Sequence, residues 1–282
     1  MLTQQIALVS KTKKIKSNEL QLLAAALQKQ ATRDLGPIWG IQATVDAFAT
    51  LKDVPAGYWP IIISDKIDDP SAAGYHSDKY RQPFALVKYD DGWQLTCSHE
   101  MCEMLVDPFG NRMVASGSLK QGQGRVNYLV EVCDPSEDDS FAYSVNGIML
   151  SDFYTPHYFD PIASNAVRYS FTGAITKPKQ VLRGGYLSWL DPATGKWWQA
   201  NYFGTSLRIN DISAKMDMLE GNMRSRIDRI TATPRTEKGV SKAHIKENKE
   251  HAESQEQSGL KSEAHWEQEL SRLLKPRQVM RK

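Results

Sequence analysis

The sequence is short of cysteine, of long apolar runs and of charge imbalance, and each shortage removes a class of protein. Only Cys97, Cys102 and Cys133 occur in 282 residues, an odd number without CxxC spacing. A disulfide framework is therefore not expected, and a reducing, cytoplasmic setting is. No window approaches the roughly 18 consecutive apolar residues that a membrane span needs, so no membrane partner is expected. Lys+Arg number 35 against Asp+Glu 33, so the basic surplus of a nucleic-acid binder is missing and no nucleic-acid partner is expected. The amino terminus places its lysines after the short apolar run IALV, the reverse of a secretory signal. The glycines of RGGYLSW and GQGR fit turns, and neither a phosphate loop nor a dinucleotide fingerprint is present. There are no internal repeats.

What remains, 41% hydrophobic and 24% charged residues, suffices for one large core or two small ones. Composition shifts near residue 233, which divides the chain into a packed domain, 1–232, and a charged segment, 233–282. The latter is mostly Lys, Glu, Gln and Ser, so a largely disordered or partly helical tail is expected. Within it Glu263 to Leu274 spaces Trp266, Leu270, Leu273 and Leu274 as a short amphipathic helix, a candidate for docking a partner.

The first hundred residues predict a β-α-β-β-β-α order. QIALVS reads as a strand, and Asn18, with Glu19 and Gln21 behind it, as the start of the helix ELQLLAAALQKQATR. GIQATVDAF and WPIIISD read as strands, SAAGYHSDKYRQP as a glycine-containing loop, and FALVKY as the fourth strand. Asp90, Asp91 and Gly92 then turn the chain into a helix, WQLTCSHEMCEMLV, which Pro108 and Gly110 terminate. Short strands follow in NYLVEVCDP, YSVNGIMLSDF and VLRGGYLSWLDPATGKWWQANYF, the last folded back at Asp191 to Gly195. The expected class is α+β, a mixed sheet with helices, followed by short strands and the polar tail.

The sharpest chemical signal is His99-Glu100-Met101-Cys102-Glu103 inside that apolar helix. Residues four apart on a helix differ by about 40° around the axis, so His99 and Glu103 share a face and can hold one metal ion together. Glu100 stands where the His-Glu-x-x-His zinc-peptidase motif keeps its general base. On many helices such a pair is only a surface ion pair. Here Met101, Met104, Leu105 and Val106 make burial the expectation, and buried acids need a cationic partner. No Lys or Arg is spaced along the helix to supply one; Arg112 lies beyond its end. Cys102 is about 60° from His99 around the helix and Cys97 about 160°, so both cysteines are expected in the core rather than on a shared ion.

The element order resembles that of the zincin metallopeptidases. In that fold the fourth strand lies at the sheet edge and lines the substrate cleft. The resemblance would make FALVKY that strand, with Phe84 and Leu86 binding an extended peptide or protein substrate by strand addition. The chain also resembles an uncharacterised group of bacterial proteins in Gly74-Tyr75-His76-Ser77-Asp78, in Ser98 to Pro108, in Glu131-Val132-Cys133-Asp134-Pro135 and in Ser151-Asp152-Phe153 through Pro156 to Phe159. More distantly, HExxE followed by Glu131-x-x-Asp134 resembles the plant phosphate-induced EXORDIUM proteins. These motifs span roughly residues 38–205.

A second histidine is expected at Glu103 in ordinary zincins, and a carboxylate there makes the site harder and more anionic. Zinc is the expected ion, with manganese or calcium also admissible. Six residues past Glu103, where metzincins place a third ligand, stands Phe109, which cannot serve. Glu131 and Asp134 are the better candidates, as third ligand or as the group orienting His99 through its other ring nitrogen. His76, close to the expected edge strand, is a candidate ligand or donor to a developing oxyanion. By analogy with the methionine turn and specificity-pocket wall of metzincins, Phe153, Pro156 and His157 would line the substrate site. The function expected is metal-dependent peptide hydrolysis. The alternatives are a non-catalytic peptide- or partner-binding module stapled by its metal, and a phage- or mobile-element-borne structural protein with an idle HExxE.

Overall fold

Four consecutive apolar residues, Ile6 to Val9, are all buried, which places β1 (Gln4–Ser10) at the centre of a sheet covered on both faces. In the computed structural model, which describes residues 3–69 and 72–231, β1 runs parallel to β2 (Ala43–Phe48) and β3 (Trp59–Ser64). The crossover from β1 to β2 contains α1 (Ser17–Lys29), which turns Leu20, Leu23, Ala24 and Leu27 into the core. Burying each leucine contributes about 1.5–3 kcal/mol. The helix begins one residue before Asn18, and it is Glu19, not Gln21, that closes its first turn, accepting the Lys16 N–H at 2.8 Å. After Lys29 the chain widens into a π-helical stretch, Gln30–Leu35, before the short α2 (Gly36–Trp39).

The sheet continues through β4 (Gly74–Lys79) and β5 (Gln82–Lys88), in the order β2-β1-β3-β5-β4. All pairs are parallel except β4 on β5. This corrects the expected loop: GYHSDK is a strand, and it is this strand, not FALVKY, that forms the edge. The turn joining the two strands hides it. Tyr80 and Arg81 both have positive φ, 55° and 62°, the geometry of a tight hairpin turn normally signalled by Asn or Gly. With that signal missing, a polar, glycine-led strand reads as loop.

Helix α3 (Trp93–Val106) packs under β3, β4 and β5, and twelve of its fourteen residues are buried. A side-chain network pins it from behind. The Ser98 hydroxyl donates to Gln30 Oε1 at 2.8 Å and accepts the Ser151 N–H at 2.8 Å, while Gln30 Nε2 donates to the Ser151 carbonyl. Gln30 opens the π-helical stretch, so that irregularity holds the rotation of α3.

Beyond α3, β6 (Met113–Gly117) and β7 (Arg125–Leu129) begin a second, antiparallel sheet. The hairpin of β8 (Tyr143–Val145) and β9 (Ile148–Leu150) turns at Asn146-Gly147. β10 (Tyr186–Asp191), β11 (Lys196–Asn201) and β12 (Arg208–Asp211) complete the order β12-β11-β10-β7-β6, with β10 and β11 joined at the expected Asp191–Gly195 turn. Two short helices follow, α4 (Ser213–Asp217) and α5 (Met223–Thr231). They close a small core of Leu129, Tyr186, Trp197, Ile212, Met216 and Ile227. The strand expected in NYLVEVCDP stops at Leu129. Glu131 therefore lies in an irregular segment leading to a 3-10 turn, Asp134–Ser136.

The mixed sheet and helices make this an α+β fold. Among the described residues no helix is long and apolar enough to cross a membrane. The expected tail, including the helix Glu263 to Leu274, lies outside the described residues.

Gly185 holds the Asp134 turn in place by close approach. A Cβ there would sit 2.6 Å from the carbonyl oxygens of both Asp134 and Pro135, and backbone cannot step aside as a flexible side chain can. Gly185→Ala should lower unfolding free energy by about 1–3 kcal/mol, read by chemical denaturation.

Candidate metal centre

The helical spacing does what the sequence implies. His99 Nε2 lies 3.2 Å from Glu103 Oε2, and Asp134 Oδ1 approaches the same nitrogen at 3.4 Å from the 3-10 turn. Ligands held at about 2.0–2.2 Å in a tetrahedral zinc site stand roughly 3.3–3.5 Å apart, so these separations suit one ion. The second oxygen of Glu103 accepts the Cys133 N–H at 3.2 Å, which fixes the carboxylate's orientation.

His76 joins from the edge strand. It shares a face of the β4–β5 pair with Ala85 and Gly74, the face turned toward α3. Its Nε2 donates to the Asp107 carbonyl at 3.0 Å, since a carbonyl can only accept. In the neutral ring this leaves the Nδ1 lone pair 3.5 Å from Glu100 Oε2 and 3.9 Å from Glu103 Oε2. His76 thus addresses the acids of α3 rather than an open cleft.

The cation expected to be missing arrives from the far end of the fold. Arg224, at the start of α5, is 3% exposed. Its guanidinium contacts Glu103 at 2.5 Å and pairs with Glu131, while Glu100 and Asp134 lie 4.0 and 3.9 Å away. Asp228, one turn along α5, holds its Nε at 2.7 Å. The Arg224 N–H donates to the Gly110 carbonyl at 3.2 Å. Gly110 has φ 59° and no Cβ, where one would lie 2.6 Å from the Arg224 Cβ. The glycine in the turn after α3, which itself ends at Val106 with Asp107 as its cap, thereby admits the arginine.

Burial works to raise the Glu103 carboxyl's pKa, but Arg224 and His99 hold it well below the usual carboxylate range. Burial lowers the His99 value, and Glu103, with Cys133 and Asp134, more than reverses it. Glu131 and Asp134 are both pushed well above their usual range, chiefly by burial and further by neighbouring acids. Burial also raises Asp228, against the lowering effect of Arg224.

Glu100, Glu103, Glu131, Asp134 and Asp228 thus face one guanidinium and two imidazoles. Were all five ionised, they would exceed the guanidinium and two protonated rings by two charges, the charge of one divalent cation; without an ion, burial pushes Glu131, Asp134 and Asp228 toward the neutral form. Three overlapping groups bring ligand atoms within 4.8 Å of one another: His99 with Glu103 and Cys133, His76 with Glu100 and Glu103, and Glu103 with Glu131 and Asp134. Glu103 belongs to all three. The buried His76 Nδ1, Glu100 Oε2 and Glu131 Oε1 have no hydrogen-bond partner, as metal-ligand lone pairs would be, while Glu103 Oε2 is ion-paired with His99 and Arg224 and Asp134 Oδ1 lies 3.4 Å from His99. The residues fit a divalent cation.

The expected substrate-site residues do not gather here. Phe84 and Leu86 alternate onto the sheet face opposite Ala85 and Val87, away from α3. Phe84 lines a groove of about 660 Å³ between β4 and α5, with Tyr75, Ser77, Asn222 and Ser225. Phe153 is a core residue stacked on Phe171, whereas Pro156 and His157 are exposed and His157 bonds Asp160 at 2.9 Å. The neighbouring Tyr154 was not foreseen. Its buried hydroxyl lacks a hydrogen-bond partner and is pushed up by burial, then by Tyr158, Glu131, Asp134 and Glu103. No protein-family model, curated protein or solved structure matches the chain, so function rests on its own residues.

A group whose pKa folding raises stabilises the protein below its unfolded value and loses that contribution as pH climbs through the folded value. For His99 the unfolded value is about 6.5, and Glu131 and Asp134 act in the same sense. Chelated protein should therefore unfold more easily at alkaline pH than near pH 6. Zinc-saturated protein should lose this dependence or reverse it, because the ion replaces the proton on His99. Denaturant unfolding at both pH values, with chelator and with zinc, reads the difference.

Proposed function

We propose that this chain is a zincin-like, metal-dependent peptidase, with His99, Glu103 and Asp134 as principal ligands and Glu131 beside them. The observation that carries the reading is convergence. A buried HExxE helix, an acidic turn and an antiparallel edge strand meet at one cluster in which ligand atoms of His76, Glu100 and Glu131 have no hydrogen-bond partner and Arg224 is the one side-chain cation paired with the acids besides the histidines, among the described residues. The order of elements supports it too, because the fourth strand along the chain is the edge strand, as in the fold it resembles.

A bound zinc, or manganese or calcium in so carboxylate-rich a site, would acidify water and polarise a carbonyl. Glu100 would serve as the base that accepts a proton from attacking water and returns it to the leaving amine. His76, anchored on the Asp107 carbonyl, keeps its Nδ1 lone pair turned toward Glu100 and Glu103. The outer edge of β4 offers unpaired backbone groups to an extended peptide. Tyr154, a buried donor without an acceptor, would favour developing negative charge.

A structural-metal reading is favoured by one observation: His99, Glu100, Glu103 and Asp134 are each 5% exposed or less. Structural zinc sites are closed, and catalytic ones keep an open position. Glu100→Gln separates the two. If the centre is catalytic, the variant folds and binds metal as wild type does, while chelator-sensitive cleavage of casein or a peptide library falls by about 10²–10⁴-fold. If the metal is a staple, neither protein cleaves and His99→Ala loses its fold.

A further inference from the structure

Arg224 occupies the position that gives the centre its dual character. Its guanidinium reaches Glu103, Glu131 and Asp134, three of the groups that would hold the ion, and extends toward Glu100, the base. A metal ion drawing the same oxygens to about 2.0–2.2 Å would stand against a fixed positive charge in a site with almost no water to screen it. We propose that helix α5 is a displaceable plug, whose Arg224 and a divalent cation compete for one set of carboxylates. This rests on the metal-binding reading above and adds its regulation.

The way α5 is held suits release. Apart from Arg224, only Ile227 and Thr231 of its nine residues are buried. Gly221, just before it, has φ 117°, a backbone state open mainly to glycine. The helix follows a glycine joint and is held by the ion-paired Arg224, by Ile227 in the smaller core with Met223 and Ile230 packed at its margin, and by a hydrogen bond from Gln199 to Thr231. It also packs beside β4, forming the far wall of the groove along that strand. Unseating α5 would uncover the ion's ligands and the strand edge in one movement. With the plug seated, the guanidinium neutralises acids that would otherwise be buried unpaired, so the metal-free protein has a stable resting state. Metal loading and substrate access are then the same event.

The test uses the full chain, stripped with chelator and titrated with zinc alone, in wild type, Arg224→Gln, Ile227→Ala and His99→Ala. Hydrogen exchange over residues 222–231 is measured before and after zinc. Zinc should speed exchange in that segment of the wild type at least tenfold. Arg224→Gln and Ile227→Ala should each bind zinc at least tenfold more tightly than wild type, and His99→Ala should lose binding. Ile227→Ala leaves every acid in place, so it decides the matter if Arg224→Gln does not fold. Zinc that binds wild type without changing exchange at α5, or no more tightly in the two α5 variants, would overturn the plug and leave the metal site standing. No zinc binding by wild type, Arg224→Gln and Ile227→Ala alike would overturn both.

Discussion

A carboxylate sealed from water must be met by cations or donors, and Glu103 is met from four parts of the chain. His99 lies on its own helix, the Cys133 N–H on the turn after β7, Arg224 on α5 and His76 on the edge strand. Each contact fixes a different piece of the fold against α3. The carboxylate therefore organises the region around it, and removing its partners would leave a buried charge at a cost of several kcal/mol. Ion pairs at such a site contribute less to net stability than to a unique arrangement.

The same arrangement explains why acids outnumber cations there. Folding has brought Glu100, Glu103, Glu131, Asp134 and Asp228 together, against the usual avoidance of buried like charge. One arginine covers part of the imbalance and a divalent ion would cover the rest. The site is thus compatible with two occupants of like sign, and the competition between them follows from electrostatics, with the displacement of α5 as its consequence. A guanidinium offers a planar fork of donors to carboxylates at hydrogen-bond distance, whereas a metal ion draws them closer still.

Much of this was legible in the sequence because it is local. The run Ile6 to Val9 announces a central strand, the spacing of α1 announces its buried face, and four-residue spacing on α3 puts His99 beside Glu103. Glu131 and Asp134 stood out as acids among apolar neighbours, and both reach the centre, although the strand imagined for them ends at Leu129. Two features stayed hidden for different reasons. β4 is polar and its turn is built from Tyr80 and Arg81, residues that rarely adopt positive φ, so no turn residue marked the hairpin. Arg224 lies in a segment rich in Arg and Ser with few apolar residues, and nothing local links it to an acid far upstream. One signal could have found it: several acids in an apolar helix demand a cation, and an arginine in a short helix after the last strand can supply one.

Whether these acids hold an ion is most directly answered by elemental analysis of purified protein beside His99→Ala and Glu103→Ala, with melting temperatures. About one equivalent of zinc or manganese in the wild type, lost in both variants together with the thermal stabilisation the ion confers, is the expected result. A metal-free wild type that melts at the same temperature with and without added zinc, manganese or calcium would contradict the account, leaving Arg224 and His99 to meet the acids.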